Sequence, residues 1–434
     1  MNKRILALAI PNIISNLSVP LLGSVDTALM GHIDDPAYLG AMAVGGMIFS
    51  FLFWGLGFLR MGTTGLTAQE FGRRDDGAMG LILLRASLLA VGIGIGIILL
   101  QQPVLALALW LVKGTAEVEQ LTTVYFTIRI YSAPATLLFY VFSGWFLGMQ
   151  NAWYPMVLTI FLNGLNVVLD VLFVHYWHMD IDGVALGSVI ARYVAILIAL
   201  LILWLKYKPV VRAAFQKKIM EMAELKKYFT VNGDIFIRTL CLIFTFSFFT
   251  AESATYGETI LAANTILIQL WMIFSYGIDG FAFAGESLVG RYTGAGSSAQ
   301  LRRTISYLFL WGLGLGLAGS LAYGFFMNPI LHIFTDQQPV IETAMAVMLW
   351  TAAAPLVNSP AYIWDGVFIG ATATGAMRNA MLIVTVLLFL PVYYILKPFW
   401  DVNALWLAML LFMAARGGIL SLFAPRYIFK KGQK

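Results

Sequence analysis

Apolar runs of about 20 residues recur from end to end of the chain, broken by short polar stretches. A helix rising 1.5 Å per residue needs about that many apolar residues to cross a hydrocarbon core of about 30 Å. Twelve such runs predict membrane helices at 5–31, 39–69, 80–103, 121–148, 153–176, 184–205, 228–255, 259–291, 303–327, 343–370, 378–397 and 402–424. The second, fourth, eighth and tenth are long enough to tilt or to extend past the lipid. The first is preceded by Lys3 and Arg4, as a signal peptide would be, but it is longer and carries Asn12, Asn16, Pro11, Pro20 and Asp26. It reads as a retained span. The pattern thus predicts an all-α integral membrane protein of twelve transmembrane helices.

Composition agrees. The 434 residues are 60% hydrophobic and 11% charged, against about 25% charged in a soluble domain. No sizeable soluble domain is left over. The one cysteine, Cys241, rules out an internal disulfide.

Charge gives the orientation. Lys3 and Arg4, Arg73 and Arg74, Lys206 to Lys227, Arg291, Arg302 and Arg303, Arg378, and Arg426 to Lys434 place 19 basic residues in loops on one side. The opposite loops hold Lys113 and Lys397. By the positive-inside rule both termini are cytoplasmic, and the chain is expected in the plasma (inner) membrane as a multi-pass protein. The basic loops are anchors for anionic lipid rather than a nucleic-acid surface.

The halves superimpose at one ungapped offset of 222 residues. Leu39, Ala41, Gly55, Leu66 and Gly72 fall on Leu261, Ala263, Gly277, Leu288 and Gly294, while Tyr140, Gly144, Phe146 and Gly148 fall on Tyr362, Gly366, Phe368 and Gly370. This predicts two six-helix lobes, 1–205 and 228–434, joined by a basic cytoplasmic linker at 206–227. Six spans per lobe make the internal repeat parallel, an arrangement suited to alternating access. Gly92, Gly94, Gly96, Gly312, Gly314 and Gly316 read as close helix packing.

Ionisable residues at membrane depth mark function or pairing. In the first half Asp26 lies deep in span one. Asn163, Asn166 and Asp170 share one face of span five, and Ser188 lies in span six. Two carboxylates with an amide and a hydroxyl suit a proton or a hard cation such as Na⁺, held at Asp26, Asn166 and Asp170. Neighbouring carboxylates split their titrations, which suits a proton carrier. Asn163 reads as structural.

In the second half Asp234 and Arg238 are spaced as an intrahelical pair. Asp279 and Glu286 share a face of span eight, and span ten holds Asp365. These are candidate coupling or substrate contacts. Glu252 reads as a solvated outer residue. Arg60, Arg85, Arg129, Arg192 and Arg416 are expected to pair or to reach the interface. Pro11 and Pro20 are candidate hinges in span one.

There is no Walker-type phosphate loop, no HExxH and no cysteine cluster, and the four histidines, His32, His175, His178 and His332, map to outer loops or span ends. No cofactor is expected beyond a coupling ion, and no enzyme activity.

Several stretches carry a resemblance to a known family: IPNIISNLSVPLLGSVDTALMGH at 10–32, NGDIFIRTLCL at 232–242, YGIDGFAFAGESLVGRYTGAG at 276–296 and WDGVFIGATATGAMRN at 364–379. The chain resembles multidrug and toxic-compound extrusion (MATE) transporters of the DNA-damage-inducible F branch. The resemblance implies export of small organic cations or amphipathic drugs in exchange for H⁺ or Na⁺, by a monomer in the lipid bilayer. It places a cation site in the first lobe on Asp26, Asn166, Asp170 and Ser188, with serine where related members carry threonine. A second-lobe cation site found in another branch uses a span-seven glutamate and a span-ten aspartate. Asp365 matches the aspartate, but Asp234 and Arg238 stand where the glutamate is expected. The alternative within the superfamily is a flippase for lipid-linked saccharides, whose cationic cavity Arg60, Arg129 and Arg192 would fit. A channel or membrane enzyme gains nothing from the repeat.

Overall fold

The computed structural model describes residues 1–30, 35–112, 114–216 and 221–429, with the side chains of 21, 22, 24 and 26–30 left aside. Asp26's side chain, His32, Lys113, Lys217, Lys218 and the tail lysines therefore lie outside the described residues. The described chain is helical throughout, with no strand. Contacts divide it into two units, 14–225 and 1–13 with 226–434. The division falls inside the first helix, and residues 206–225 group with the first unit.

The first helix is α1 (Asn2–Met30). The N-terminal unit continues through α2 (Pro36–Gly55), α3 (Phe58–Arg73), α4 (Asp76–Leu99), α5 (Gln101–Leu111), α6 (Ala116–Arg129), α7 (Ala133–Gly148), α8 (Trp153–Val171), α9 (Ile181–Lys206) and α10 (Lys208–Ala214). The C-terminal unit holds α11 (Met222–Thr255, its first turn in the other unit), α12 (Glu258–Gly294), α13 (Ser298–Phe334), α14 (Gln338–Ala346), α15 (Met348–Gly370), α16 (Thr374–Ile383) and α17 (Leu390–Ala424).

Among the described residues nine helices are long and apolar enough to cross a membrane, or ten if α14 and α15, bent by 53° at their junction, form one span. One of the nine, Thr374–Phe429, has 56 residues. A straight helix of that length would run about 84 Å, far beyond one crossing. It breaks at Asp401, whose φ of 45° and ψ of −123° are not helical.

Large aliphatic and aromatic side chains remain exposed along these helices, among them Leu99, Leu197, Leu310, Phe325 and Ile333. In water such surface would drive association; in lipid it is the solvated face. The helices pack inside each unit through aromatic and small side chains. In the first, Phe49 stacks on Phe126 and meets Tyr125 edge-on; in the second, Trp406 meets Phe249 edge-on and Trp271 at a tilt. Tyr207, between α9 and α10, sits against Trp145, Phe146 and Tyr154, so the start of the linker is packed onto its own unit.

The internal repeat is visible in geometry at the same offset. A Cβ on Gly144 would meet the Arg60 carbonyl oxygen at 2.3 Å, and one on Gly366 would meet that of Ala282 at 2.1 Å. Gly148 and Gly370 lie in the same way against the carbonyls of Thr64 and Glu286, at 2.9 and 2.6 Å. Left-handed residues repeat too. Arg74 (φ 61°) matches Gly296 (φ 64°), and Gln150 (φ 63°) matches Thr372 (φ 49°), each just past a helix end. Glycine at 144 and 366 lets α7 touch α3, and α15 touch α12, backbone to backbone. Gly144→Ala and Gly366→Ala are each expected to destabilise their unit by about 1–3 kcal/mol through overpacking. Thermal melts in detergent check this, and an unchanged midpoint would argue against these contacts.

Candidate functional site

In the N-terminal unit the polar face of α8 is divided between two jobs. Asn163 donates from Nδ2 to the Ser18 carbonyl at 3.2 Å and to its hydroxyl at 3.1 Å, and the Ser18 hydroxyl donates to the Ser15 carbonyl at 2.7 Å. These donors serve the backbone of α1 just before Pro20, where the proline removes one N–H from the ladder. α1 remains helical through Pro11 and Pro20.

One turn further along α8, Asn166 points its Nδ2 at both oxygens of Asp170, each at 3.1 Å. Both residues are buried, Asp170 fully. They sit within the span Trp153–Tyr176, where an ionised carboxylate with no compensation costs a few kcal/mol by insertion scales. From α9, Gly187 lies against the same carboxylate; a Cβ there would stand 2.3 Å from Asp170 Oδ1. Ser188, next along α9, is buried as well. Asn166, Asp170 and the Gly187–Ser188 stretch are thus brought together, and Asp26 lies on α1 with its side chain outside the described residues.

An asparagine amide can face a carboxyl group in two ways. Its Nδ2 donates to the ionised form, as here, and its Oδ1 accepts from the protonated form. The pair Asn166–Asp170 can therefore hold either protonation state of the acid without moving the backbone. Gly187 is the residue that sequence reasoning missed. Its signal was adjacency to Ser188 as the one glycine of the predicted span 184–205. Gly187→Ala is expected to displace the Asp170 carboxylate and to lower ion-coupled transport about tenfold, the size of a coupling loss of 1.4 kcal/mol. Wild-type transport by a folded Gly187→Ala protein would contradict the contact.

Arginines in this unit are placed as well. Arg129 lies over the rings of Phe49 and Tyr125, at 5.0 and 5.2 Å, a cation–π arrangement rather than an exit to the interface. Arg60 on α3 and Arg192 on α9 both lie within Coulomb reach of Tyr140 on α7.

In the C-terminal unit the charges pair across helices. The expected intrahelical pair of Asp234 and Arg238 is replaced by two separate clusters. Asp234 accepts from Arg378 Nη1 at 2.7 Å and from the Thr374 hydroxyl at 2.9 Å, both on α16. Arg238 instead meets Asp365 of α15, and Arg416 of α17 meets the same oxygen, Asp365 Oδ2. Arg238, Asp365 and Arg416 are all more than nine-tenths buried. Partners from other helices win because they compensate charge at the depth where it is buried. Arg416 was legible as a mid-span cation with no acid on its own helix within a turn.

Asp279 and Glu286 on α12 lie within Coulomb reach of Arg238, and Asp279 also of Arg416. Glu252 is not a free outer residue. Its Oε2 accepts from Tyr393 at 2.5 Å and from Lys397 at 2.9 Å, tying α11 to α17.

Comparison with known proteins fits this arrangement. A family profile described as MatE matches the chain twice, over residues 11–172 and 235–395.

The chain belongs to the MatE family.

The two MatE matches begin in α1 and α11, so the profile falls once on each copy of the repeat. The chain is 38% identical over 422 residues to DNA damage-inducible protein F of Escherichia coli (strain K12), covering 96% of this chain and 90% of that protein. Multidrug export protein MepA of Staphylococcus aureus (strain NCTC 8325 / PS 47) is 21% identical, with 91% and 87% covered. Among solved structures, a MATE protein in the bent conformation superimposes with a TM-score of 0.92 at 18% identity, covering 100% of this chain and 96% of the other. The outward-facing form of a multidrug resistance MATE family transporter gives 0.90 at 19% identity, with 99% and 96% covered. At such identity these structures establish the fold, and the fold is that of MATE transporters. This MatE chain is therefore a multi-pass membrane transporter with multidrug-export relatives.

Proposed function

We propose that this transporter is a secondary active antiporter of the inner membrane that exports cationic or amphipathic compounds in exchange for H⁺ or Na⁺ by alternating access. The observation that carries this reading is the fully buried Asp170 carboxylate, held by the Asn166 amide inside a membrane span. A carboxylate at that depth is stable when it takes up a proton or a cation, and Asn166 is able to serve both states. Asp26 would supply the second carboxylate and Ser188 a hydroxyl oxygen.

In the proposed cycle the ion enters from outside and neutralises this acidic pair, α1 rearranges about Pro11 and Pro20, and substrate is released outward. Release of the ion to the cytoplasm returns the protein. Asp279 and Glu286 on α12 would be contacts for a cationic substrate in the C-terminal unit. The basic loops support cytoplasmic termini, and the working unit is proposed to be a monomer.

Reconstituted protein tests the reading. Efflux of a fluorescent cation from proteoliposomes is measured with a pH gradient or a Na⁺ gradient imposed separately. The proposal expects efflux driven by one of them. Folded, oriented protein that responds to neither would refute it and favour transport of a lipid-linked saccharide.

A further inference from the structure

Each copy of the repeat holds a tyrosine near two arginines, and the residue one turn along from it differs. At the repeat offset Tyr140 on α7 falls on Tyr362 on α15, and Ser143 falls on Asp365. Spacing of i,i+3 puts each pair on one helix face. In the C-terminal unit Tyr362 lies within Coulomb reach of Arg238, and the Arg416 guanidinium stands 6.0 Å from its ring. Asp365 contacts both guanidiniums. In the N-terminal unit Tyr140 lies within Coulomb reach of Arg60 and Arg192. Arg192 comes from α9, two positions before Val194, on which Arg416 falls.

The N-terminal copy carries serine where the C-terminal copy carries its acid. Ser143 Oγ is buried and has no hydrogen-bond partner among the described residues. Arg192 lies near the middle of the crossing Ile181–Lys206, where a charged side chain is costly unless it is paired or does work. Among the described residues, the titratable group that bears on Arg192 is the Tyr140 hydroxyl, which is neutral at ordinary pH. A guanidinium has donors only, and two of them fit the two oxygens of an oxyanion. The tyrosine and serine hydroxyls can donate to the same group.

We infer that Arg192, with the Tyr140 and Ser143 hydroxyls, forms a subsite for the acidic group of an amphipathic substrate, a carboxylate or sulfonate that supplies the negative charge Asp365 supplies in the C-terminal unit. This rests on the reading that the chain exports amphipathic compounds, and it narrows them to those with an anionic group beside the apolar or cationic body. A charge carried in by the substrate leaves with it, whereas Asp365 is fixed to its helix.

The test is equilibrium binding to the full chain in detergent, read by fluorescence anisotropy. The probes are rhodamine B, which joins a free carboxylate to a delocalised cation, and its ethyl ester, which keeps the cation and loses the negative charge. The wild type is expected to prefer the free acid. Arg192→Gln is expected to weaken rhodamine B about tenfold, the size of a lost charge-assisted hydrogen bond, and to leave the ester unchanged. Arg192→Lys keeps the charge without the planar fork and is expected to fall between. Ser143→Asp gives this copy the acid of the other and is expected to erase the preference for the free acid. A merely structural role would move both dyes together. The inference is overturned if the wild type shows no preference, if folded Arg192→Gln treats the two dyes as the wild type does, or if Ser143→Asp keeps the preference. Should Arg192→Gln not fold, Ser143→Asp decides. Phosphatidylglycerol serves as competitor: displacement of rhodamine B at stoichiometric lipid would assign the donors to a lipid headgroup and overturn the soluble amphipath, and no displacement supports it. Failure of the antiport reading would appear elsewhere, as efflux that neither gradient drives, and leaves these binding arms readable.

Discussion

Asp170→Asn is expected to lower gradient-driven transport by about 5- to 150-fold while leaving the protein folded. The substitution keeps the size of the side chain and one of the two oxygens that accept from Asn166. It removes the only property that the coupling reading requires, the ability to exchange a charge for a proton or a cation. Allosteric coupling between sites is typically worth 1–3 kcal/mol, or about 5- to 150-fold in a population. Loss of the ion site should lower gradient-driven efflux by roughly that range. Ion-independent binding of substrate, measured by equilibrium fluorescence, should change little, because no bound substrate is assigned to Asp170. Coupled efflux at the wild-type rate in Asp170→Asn would remove the N-terminal unit from the coupling mechanism.

Asp365→Asn should produce the largest loss of stability of any single change in the C-terminal unit. The substitution leaves Arg238 and Arg416 buried at 6% and 1% exposure with their shared counter-ion gone. Breaking one buried ion pair from one side costs about 3–5 kcal/mol, because the remaining charge is uncompensated. Here two guanidiniums lose the carboxylate they contact while Asp279 stays within Coulomb reach of both, so a loss of about 3–5 kcal/mol is expected, against a total stability on the order of 5–15 kcal/mol for a typical domain. Neutralising all three groups, with Arg238→Gln and Arg416→Gln added, should recover much of the loss, since a buried charge network is often replaceable as a whole. Thermal melts of the single and triple variants provide the measurement. A single variant that melts with the wild type would mean that the cluster does not hold α11, α15 and α17 together. The Arg378–Asp234 pair makes an instructive contrast. Arg378 keeps 34% side-chain exposure, so water compensates part of its loss and Arg378→Gln should cost far less.

Much of the architecture can be read without coordinates because lipid imposes a simple rule. Backbone groups must be satisfied within each crossing, so hydropathy alone finds helices. The repeat was legible for a similar reason. Glycines at 144, 148, 366 and 370 sit where backbones touch, and the same close contacts recur in both copies. What hydropathy does not report is direction. Residues 343–370 read as a single span, yet the chain turns by 53° between α14 and α15. Nor does it find short apolar helices such as α5, which at 11 residues is too short to register as a crossing.

The candidate sites were legible unevenly. On α8 the spacing of Asn166 and Asp170 placed both on one face, and the i,i+4 hydrogen bond follows directly. Spacing could not say that Asn163, on the same face, would turn to the backbone of α1. In the C-terminal unit the same spacing rule proposed Asp234 with Arg238. The partners of both lie on helices far away in sequence, because burial rewards compensation at equal depth rather than proximity along one helix. Charges at membrane depth are visible in a sequence, but which of them meet is decided by packing.

The most direct test of the antiport reading is to follow ion influx and substrate efflux together in the same proteoliposomes, for the wild type and for Asp170→Asn. The account predicts that wild-type efflux of a fluorescent cation is accompanied by inward movement of one ion, H⁺ or Na⁺, and that both fluxes fall together in the variant. Substrate efflux from wild-type liposomes without any accompanying ion influx, or unchanged coupled fluxes in Asp170→Asn, would contradict it.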